Sequence, residues 1–255
     1  MKIANVKRFN GAIGRLNGRA VPEHALVGVT GEAGLGKSRT GMWWTVQNDA
    51  VMIRAHPNAT PAWVLSDLVR ELGLAPTRTT QALATQAIGA LAADPRPVVI
   101  DEVEHALRSD ALVLDTLRDV ADLCEVPLVL IGREGTPEKL RRHRQIWRRI
   151  GAVAEFRPLD LEDAALLAAE LVELDVPEAV LSEILRAAEG RVCGVLGGLA
   201  WAEARLKRHG SLTAADFNGL GHPWARKDAR VVGLSARARA REAAADRTTN
   251  PQAVA

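Results

Sequence analysis

The stretch GEAGLGKS, residues 31–38, constrains this chain more than any other. It fits G-x-x-x-x-G-K-[ST] through Gly31, Gly36, Lys37 and Ser38, and it stands between an apolar run and a helical pattern, the context in which such a loop grips phosphate. The glycines, Gly34 included, permit a tight turn whose N–H groups face inward as an anion nest. The helix opening near Lys37 adds the positive end of its dipole. The Lys37 ammonium suits the outer phosphates, and the Ser38 hydroxyl is a hard oxygen suited to Mg²⁺. Gly31, Glu32, Ala33, Gly34, Leu35, Gly36, Lys37, Ser38 and Arg39 are therefore read as the nucleotide-binding segment.

A loop of this kind needs a parallel sheet around it, and the chain supplies five short apolar runs. They are ALVGVTG (25–31), AVMIRA (50–55), PVVIDE (97–102), PLVLIG (127–132) and AVAEFRP (152–158). Runs that are apolar on both faces suit buried parallel strands, and alternation with helices suits a sheet covered on both sides. Thr60 followed by Pro61 predicts a helix N-cap and first helical position, with Val64, Leu65, Leu68, Val69 and Leu72 at helical spacing. Trp43 and Trp44 are read as core, His105 as structural or solvated, and Glu104 as an acid capping the next helix. After Pro158 the strands stop and residues 160–218 read as helix, opened by Asp160 and Asp163 and closed by a short helix capped by Thr213 and Asp216. The expected organisation is a nucleotide-binding α/β domain over 1–158, a helical lid over 159–220, and a basic tail over 221–255. That tail ends in disorder, with helix possible in SARARAREAAAD.

The second chemical element is PVVIDE. Asp101, at the end of a buried strand and 64 residues after Lys37, can hold Mg²⁺ directly or through water. Glu102 can orient or activate a water for attack on the γ-phosphate. An Asp–Glu pair in this place favours hydrolysis of ATP over binding alone. The third element is the arginine-rich EKLRRHRQIWRRIGAVAEF, in which Arg149 first and Arg148 second could reach a neighbouring subunit's γ-phosphate. A basic helix face is the competing reading of those arginines.

Composition supports a globular chain: 47% of residues are hydrophobic and 25% charged. No stretch approaches the ~20 apolar residues of a membrane span, the start lacks the apolar core of a signal peptide, and Cys124 and Cys193 lack metal-ligand spacing. A cytoplasmic location and no membrane partner are expected. The net charge of +2 conceals segregation: residues 133–149 carry seven Lys/Arg against two acids, and residues 222–255 carry seven against three. Such segregation can attract a polyanion or can be a set of solvated faces.

Taken together these motifs resemble the AAA+ ATPases over roughly residues 1–220. The run LVLIGREGTPEKLRRHRQIWRRIGAVAEFRPLDLEDA resembles the transposition-regulator group, that of the phage Mu target-DNA-binding ATPase (the B protein) and the Tn7 regulator. AVMIRAHPNATPAWVLSDLVRELG resembles the Mu-like phage branch of that group. The resemblance implies a three-layer P-loop sandwich with a five-stranded parallel sheet and a C-terminal helical lid. It implies ATP and Mg²⁺ as ligands and assembly as a filament or ring around duplex DNA. It also implies a transposase partner, and disassembly on hydrolysis. A sensor at the tip of the fourth strand would be Thr136 or Arg133, and lid sensing would use Arg191, beside Cys193. With about 25 residues before the first strand, the group's separate N-terminal DNA-binding domain is expected to be absent. DNA contacts would then come from Asn58, Thr60, Arg78 and Arg108, with Arg237, Arg239 and Arg241 of the tail as a second contact. The alternative is a loader or secretion-linked ATPase acting on a protein.

Overall fold

The computed structural model describes residues 3–17 and 25–217. They divide into two compact units, Met1–Leu159 and Asp160–Ala255. The first holds all five described strands: β1 (Leu26–Thr30), β2 (Val51–Arg54), β3 (Val98–Asp101), β4 (Leu128–Ile131) and β5 (Ile150–Glu155). They form one parallel sheet in the order β2-β3-β4-β1-β5.

The period of two along each strand sorts the core into two layers. Leu26, Val51, Ile53, Val98, Ile100, Leu128 and Leu130 face one side. There they meet α3 (Pro61–Glu71), α4 (Thr80–Ala93), α5 (Leu112–Leu123), Leu140 of α6 (Thr136–Arg142) and Ile146 of α7 (Arg144–Trp147). Val27, Val29, Val99, Val129, Ile131, Ala152 and Ala154 face the other side, against α1 (Ala4–Asn17) and α2 (Lys37–Gln47). The result is the α/β/α sandwich that two-sided apolar strands require.

Local caps follow the sequence closely. Thr60 accepts a hydrogen bond from the Trp63 amide at the start of α3, and Thr79 accepts one from Ala82 at the start of α4. The loop between these helices runs back along α4, because Gln86 hydrogen-bonds both Ala75 and Thr77.

Four expectations need correction. The fifth strand opens at Ile150, two residues before AVAEFRP, so Arg149 adjoins it directly. Trp44 is buried but Trp43 is 42% exposed. Lys37, Thr40, Gly41 and Trp44 share the inward face of α2, which turns Met42, Trp43 and Val46 outward. Glu104 is no surface cap, since its side chain is only 10% exposed. Of the two readings of His105, the solvated one fails, because its side chain is only 15% exposed and its ring lies 3.6 Å from Glu102. One element was not foreseen: α1 buries Val6, Phe9, Ala12 and Leu16, with Ile3 buried just before it, and Phe9 meets Trp44 edge-on with ring centroids 5.9 Å apart.

The second unit is helical: α8 (Leu161–Leu171), α9 (Glu178–Ala188), α10 (Val192–His209) and a 3₁₀ turn at Ala214–Asp216. Asp160 caps α8 by accepting from the Asp163 amide at 2.8 Å. Thr213 and Asp216 form a reciprocal capping box. The Arg205 guanidinium, with help from Thr213, holds the Asp216 carboxyl down at about 2. The readings of 218–255, including Arg237, Arg239, Arg241 and SARARAREAAAD, lie outside the described residues.

If α1 is part of the core, Phe9→Ala should lower the unfolding free energy by about 3–5 kcal/mol. Urea denaturation followed by Trp fluorescence checks this, and a change below about 1 kcal/mol would show α1 to be an appendage.

Candidate functional site

Three adjacent strands, β3, β4 and β1, end side by side, and the turns that leave them meet. The turn after β1 is the glycine loop. Gly34 and Gly36 lie in the left-handed region, with φ 86° and 87°, which turns successive amides to one side. Gly36 precedes α2 without offering a side-chain cap, whereas α3, α4 and α8 are all capped by Thr or Asp. The first N–H groups of α2 are thus left for an anion. Gly31 is required twice over: its φ is +142°, and a Cβ there would lie 2.5 Å from the Phe156 carbonyl oxygen. Leu35 is buried beneath the loop, and Glu32, Ala33 and Arg39 are exposed around it.

Lys37 is buried, and its Nζ donates to the carbonyls of Gly31 and Glu32, each at 2.7 Å. Burial pushes its ammonium below the ordinary value, while Glu104 and then Asp101 oppose that shift. Ser38 Oγ donates to Asp101 Oδ1 at 3.0 Å, so the hydroxyl and the carboxylate of the two motifs are in contact. Asp101 is almost fully buried at the end of β3. A hard hydroxyl beside a carboxylate, under an open row of amides and a buried ammonium, fits a Mg²⁺–triphosphate. When bound, Mg²⁺ would neutralise phosphate charge between Ser38 and Asp101.

Glu102 follows in the left-handed conformation, φ 56°, which is costly for a residue with a side chain. The Glu102 amide donates to Asp101 Oδ1, and the next amide, that of Val103, donates to Ile131 O. This turn leaves the Glu102 carboxylate 38% exposed beside the glycine loop's neighbour strand. Two groups flank it: Arg54 Nε at 3.9 Å and His105 Nε2 at 3.6 Å.

Arg54 was missed by sequence reasoning. It closes β2 in register with Asp101, and its Nη2 lies 3.4 Å from Asp101 Oδ2. The available signal was an arginine at the end of an otherwise apolar strand next to the acidic one. Glu104 was also misread. Arg133 Nε lies 2.9 Å from Glu104 Oε1, but off the hydrogen-bonding direction, so both carboxylate oxygens are buried without a hydrogen-bond partner among the described residues. Of the two residues proposed for the tip of the fourth strand, Arg133 is 70% exposed and lies against Glu104, while Thr136 is buried against Gly132.

The remaining predicted residues lie elsewhere. Arg149 passes its carbonyl to the Leu26 amide at the beginning of β1, and its Nη2 lies 3.5 Å from Asp122 Oδ2. It therefore stands about 16 Å, five strand residues, from the phosphate loop of its own chain. Arg148 beside it is exposed and has no carboxylate partner among the described residues. Asn58, Thr60 and Arg78 are exposed; Arg108 is exposed too and donates to the Pro57 carbonyl, which ties the β3 turn to the 56–60 loop. Arg191 belongs to the second unit, where it precedes α10 and its Nη2 lies 3.8 Å from Glu189.

Because Gly31 has neither the φ nor the space for a side chain, Gly31→Ala should strain the loop by about 1–3 kcal/mol. Binding of a fluorescent ATP analogue should be lost while the circular dichroism spectrum persists; retained binding would show that the loop is not the anion site.

Residues 23–140 match the family described as an AAA domain, AAA_22. No curated protein matches the chain. Among solved structures it is similar to the Orc1 protein of Aeropyrum pernix, determined in complex with DNA, at 17% identity and a TM-score of 0.56 over 92% of this chain and 64% of that one. It is also similar to Cdc6p of Pyrobaculum aerophilum, at 15% identity and a TM-score of 0.55 over 80% of this chain and 62% of that one. The chain thus spans less than two thirds of either relative, and at such identities the likeness is one of fold. No helix among the described residues is long and apolar enough to cross a membrane. Residues 23–140 thus match an AAA domain, and the fold that carries them is an α/β P-loop sandwich of the AAA+ type.

Proposed function

We propose that this protein is an ATP-hydrolysing, duplex-DNA-binding regulator of transposition that assembles head to tail on DNA and delivers it to a transposase. The observation that carries the reading is the meeting of Lys37, Ser38, Asp101 and Glu102 at one end of the sheet, with Arg148 and Arg149 at the other. Lys37 and the loop amides hold the triphosphate. Ser38 and Asp101 hold Mg²⁺. Glu102, poised by its left-handed backbone between Arg54 and His105, takes the proton of the attacking water. An arginine on the far edge cannot reach this site within one chain, so it serves the next copy. Arg148 fits that role better than Arg149, which Asp122 engages.

Support for DNA comes from the basic segment at 133–149 and from the exposed Asn58, Thr60, Arg78 and Arg108. Support for transposition comes from the sequence texture of residues 127–163. One observation favours the alternative, a loader or secretion-linked ATPase acting on a protein: the outward apolar face of Met42, Trp43 and Val46 on α2. Measuring ATP turnover with duplex and with candidate protein partners separates the two, and imaging with DNA and a non-hydrolysable ATP analogue tests assembly. A monomer under all those conditions would overturn the proposal.

Glu102→Gln should lower turnover by about 10²–10⁴-fold and slow release of duplex; faster release would contradict the role given to Glu102. Arg148→Ala should lower turnover by about 10³-fold with nucleotide affinity unchanged. Mixing it with Lys37→Ala protein should restore part of the activity, since each copy supplies what the other lacks. No recovery, together with full activity of Arg148→Ala alone, would rule out action in trans by this residue.

A further inference from the structure

Beside the nucleotide site the first unit opens a cleft of about 480 Å³ between the turn that follows β3 and helix α6. Four cationic side chains line it: Arg108 on one wall, Arg133 at the β4 tip, and Lys139 and Arg142 on α6. Two acids line it as well, and one of them, Glu104, is engaged with Arg133. Lys139 and Arg142 are three residues apart, hence on one face of α6, and neither has a carboxylate partner among the described residues. Arg141 differs: it points elsewhere, over the Trp147 ring at 4.9 Å and toward Glu138. A helical cation can pair with i±3 or i±4 carboxylates, as the largely buried Arg118 does with Asp115 and Asp122 on α5. On α6, Lys139 and Arg142 face the cleft without such a pair, whereas Arg141 has one.

We infer that this cleft binds the phosphodiester backbone of duplex DNA, and that the nucleotide site senses its occupancy through Arg133 and His105. Phosphate is the chemistry that fits: four cationic side chains line one cleft of about 480 Å³, and a guanidinium fork such as that of Arg142 matches phosphate oxygens. The coupling is visible in the shared residues. Arg133 lines the cleft and also pairs with Glu104, the largest charge favouring the Lys37 ammonium. His105 lines the cleft and also touches Glu102. A phosphate that draws Arg133 outward leaves Glu104 to Lys37 alone, and one that engages His105 frees Glu102. The inference rests on the DNA-binding reading above and gives it a place and a coupling path.

The test compares wild-type protein, the double variant Lys139→Ala/Arg142→Ala, and Arg141→Ala. Anisotropy of a fluorescein-labelled duplex is followed with a non-hydrolysable ATP analogue over a range of salt. Losing two phosphate contacts should lower the slope of log affinity against log salt by about 1.8, and weaken binding by about 30-fold at ~0.15 M salt. Melting temperature and turnover without DNA should stay as in the wild type, whereas the increase in turnover caused by duplex should fall with binding. Arg141→Ala should leave the slope unchanged. If the wild type binds no duplex, the DNA reading and this inference both fall. If the wild type binds and the double variant matches it in slope and affinity, only the cleft assignment falls. Equal loss per residue in Arg141→Ala would reduce the effect to general charge. Loss of poly-glutamate binding with duplex binding intact would assign the cleft to an acidic peptide and overturn the inference.

Discussion

The parallel pairing of β1 with β4, and of β4 with β3, is the constraint on which the rest of the structure depends. In parallel neighbours the carboxyl ends lie on the same edge, and strands sit about 4.8 Å apart. The ends of β1 and β3 are therefore about 10 Å apart with β4 between them, a gap that two side chains can close. Ser38, carried back by the glycine loop on the first turn of α2, meets Asp101 at 3.0 Å. An open α/β sheet places its ligand outside these carboxyl ends for the same reason. Here the backbone arranges the residues of two distant segments before any side-chain preference acts.

That convergence buries charge, and the structure offsets the cost locally. Lys37 gives up water but gains two carbonyl acceptors and the field of Glu104 and Asp101. Asp101 is held by a hydroxyl, an amide and Arg54. Glu104 is the exception: a buried carboxylate whose oxygens have an ion-pair neighbour but no aligned donor. An arrangement so incompletely satisfied is easily shifted by another charge, because the low local polarity magnifies each change. It lies between the cleft and the lysine, where sensitivity of that kind would have a use.

Much of this was legible in the sequence because its signals are local. The glycine loop, the Asp–Glu pair, the five apolar runs and the caps at Thr60 and Asp160 each depend on a few consecutive residues. What was missed depends on register or on partners far along the chain. Arg54 becomes a site residue only when β2 is paired with β3 so that it faces Asp101. Glu104 looked like a capping acid because nothing near it in sequence reveals Arg133, 29 positions on. Helix α1 was hidden by its basic residues and by Gly11 and Gly14, although Phe9, Ala12 and Leu16 follow helical spacing. Trp43 and Trp44 are indistinguishable as residues; only the helical phase set by Lys37 separates the inward one from the outward one. Arg149 was preferred over Arg148 on position alone, since its engagement by Asp122 on α5 is invisible without the fold.

The separation of the arginine edge from the phosphate loop by the length of β1 has a further consequence for any assembly built on it. On the proposed function each protomer would offer a socket at one pole and a key at the other, so that contacts would be heterologous and the array would have a direction. An open row of copies must always leave its last socket without a key, while a closed ring leaves none. The terminal protomer of a row would hold its nucleotide uncleaved the longest, and growth and shortening would differ between the two poles. A symmetrical dimer, by contrast, could complete both sockets only by bringing the two arginine edges to the two loops at once, which a strand-length offset makes geometrically demanding.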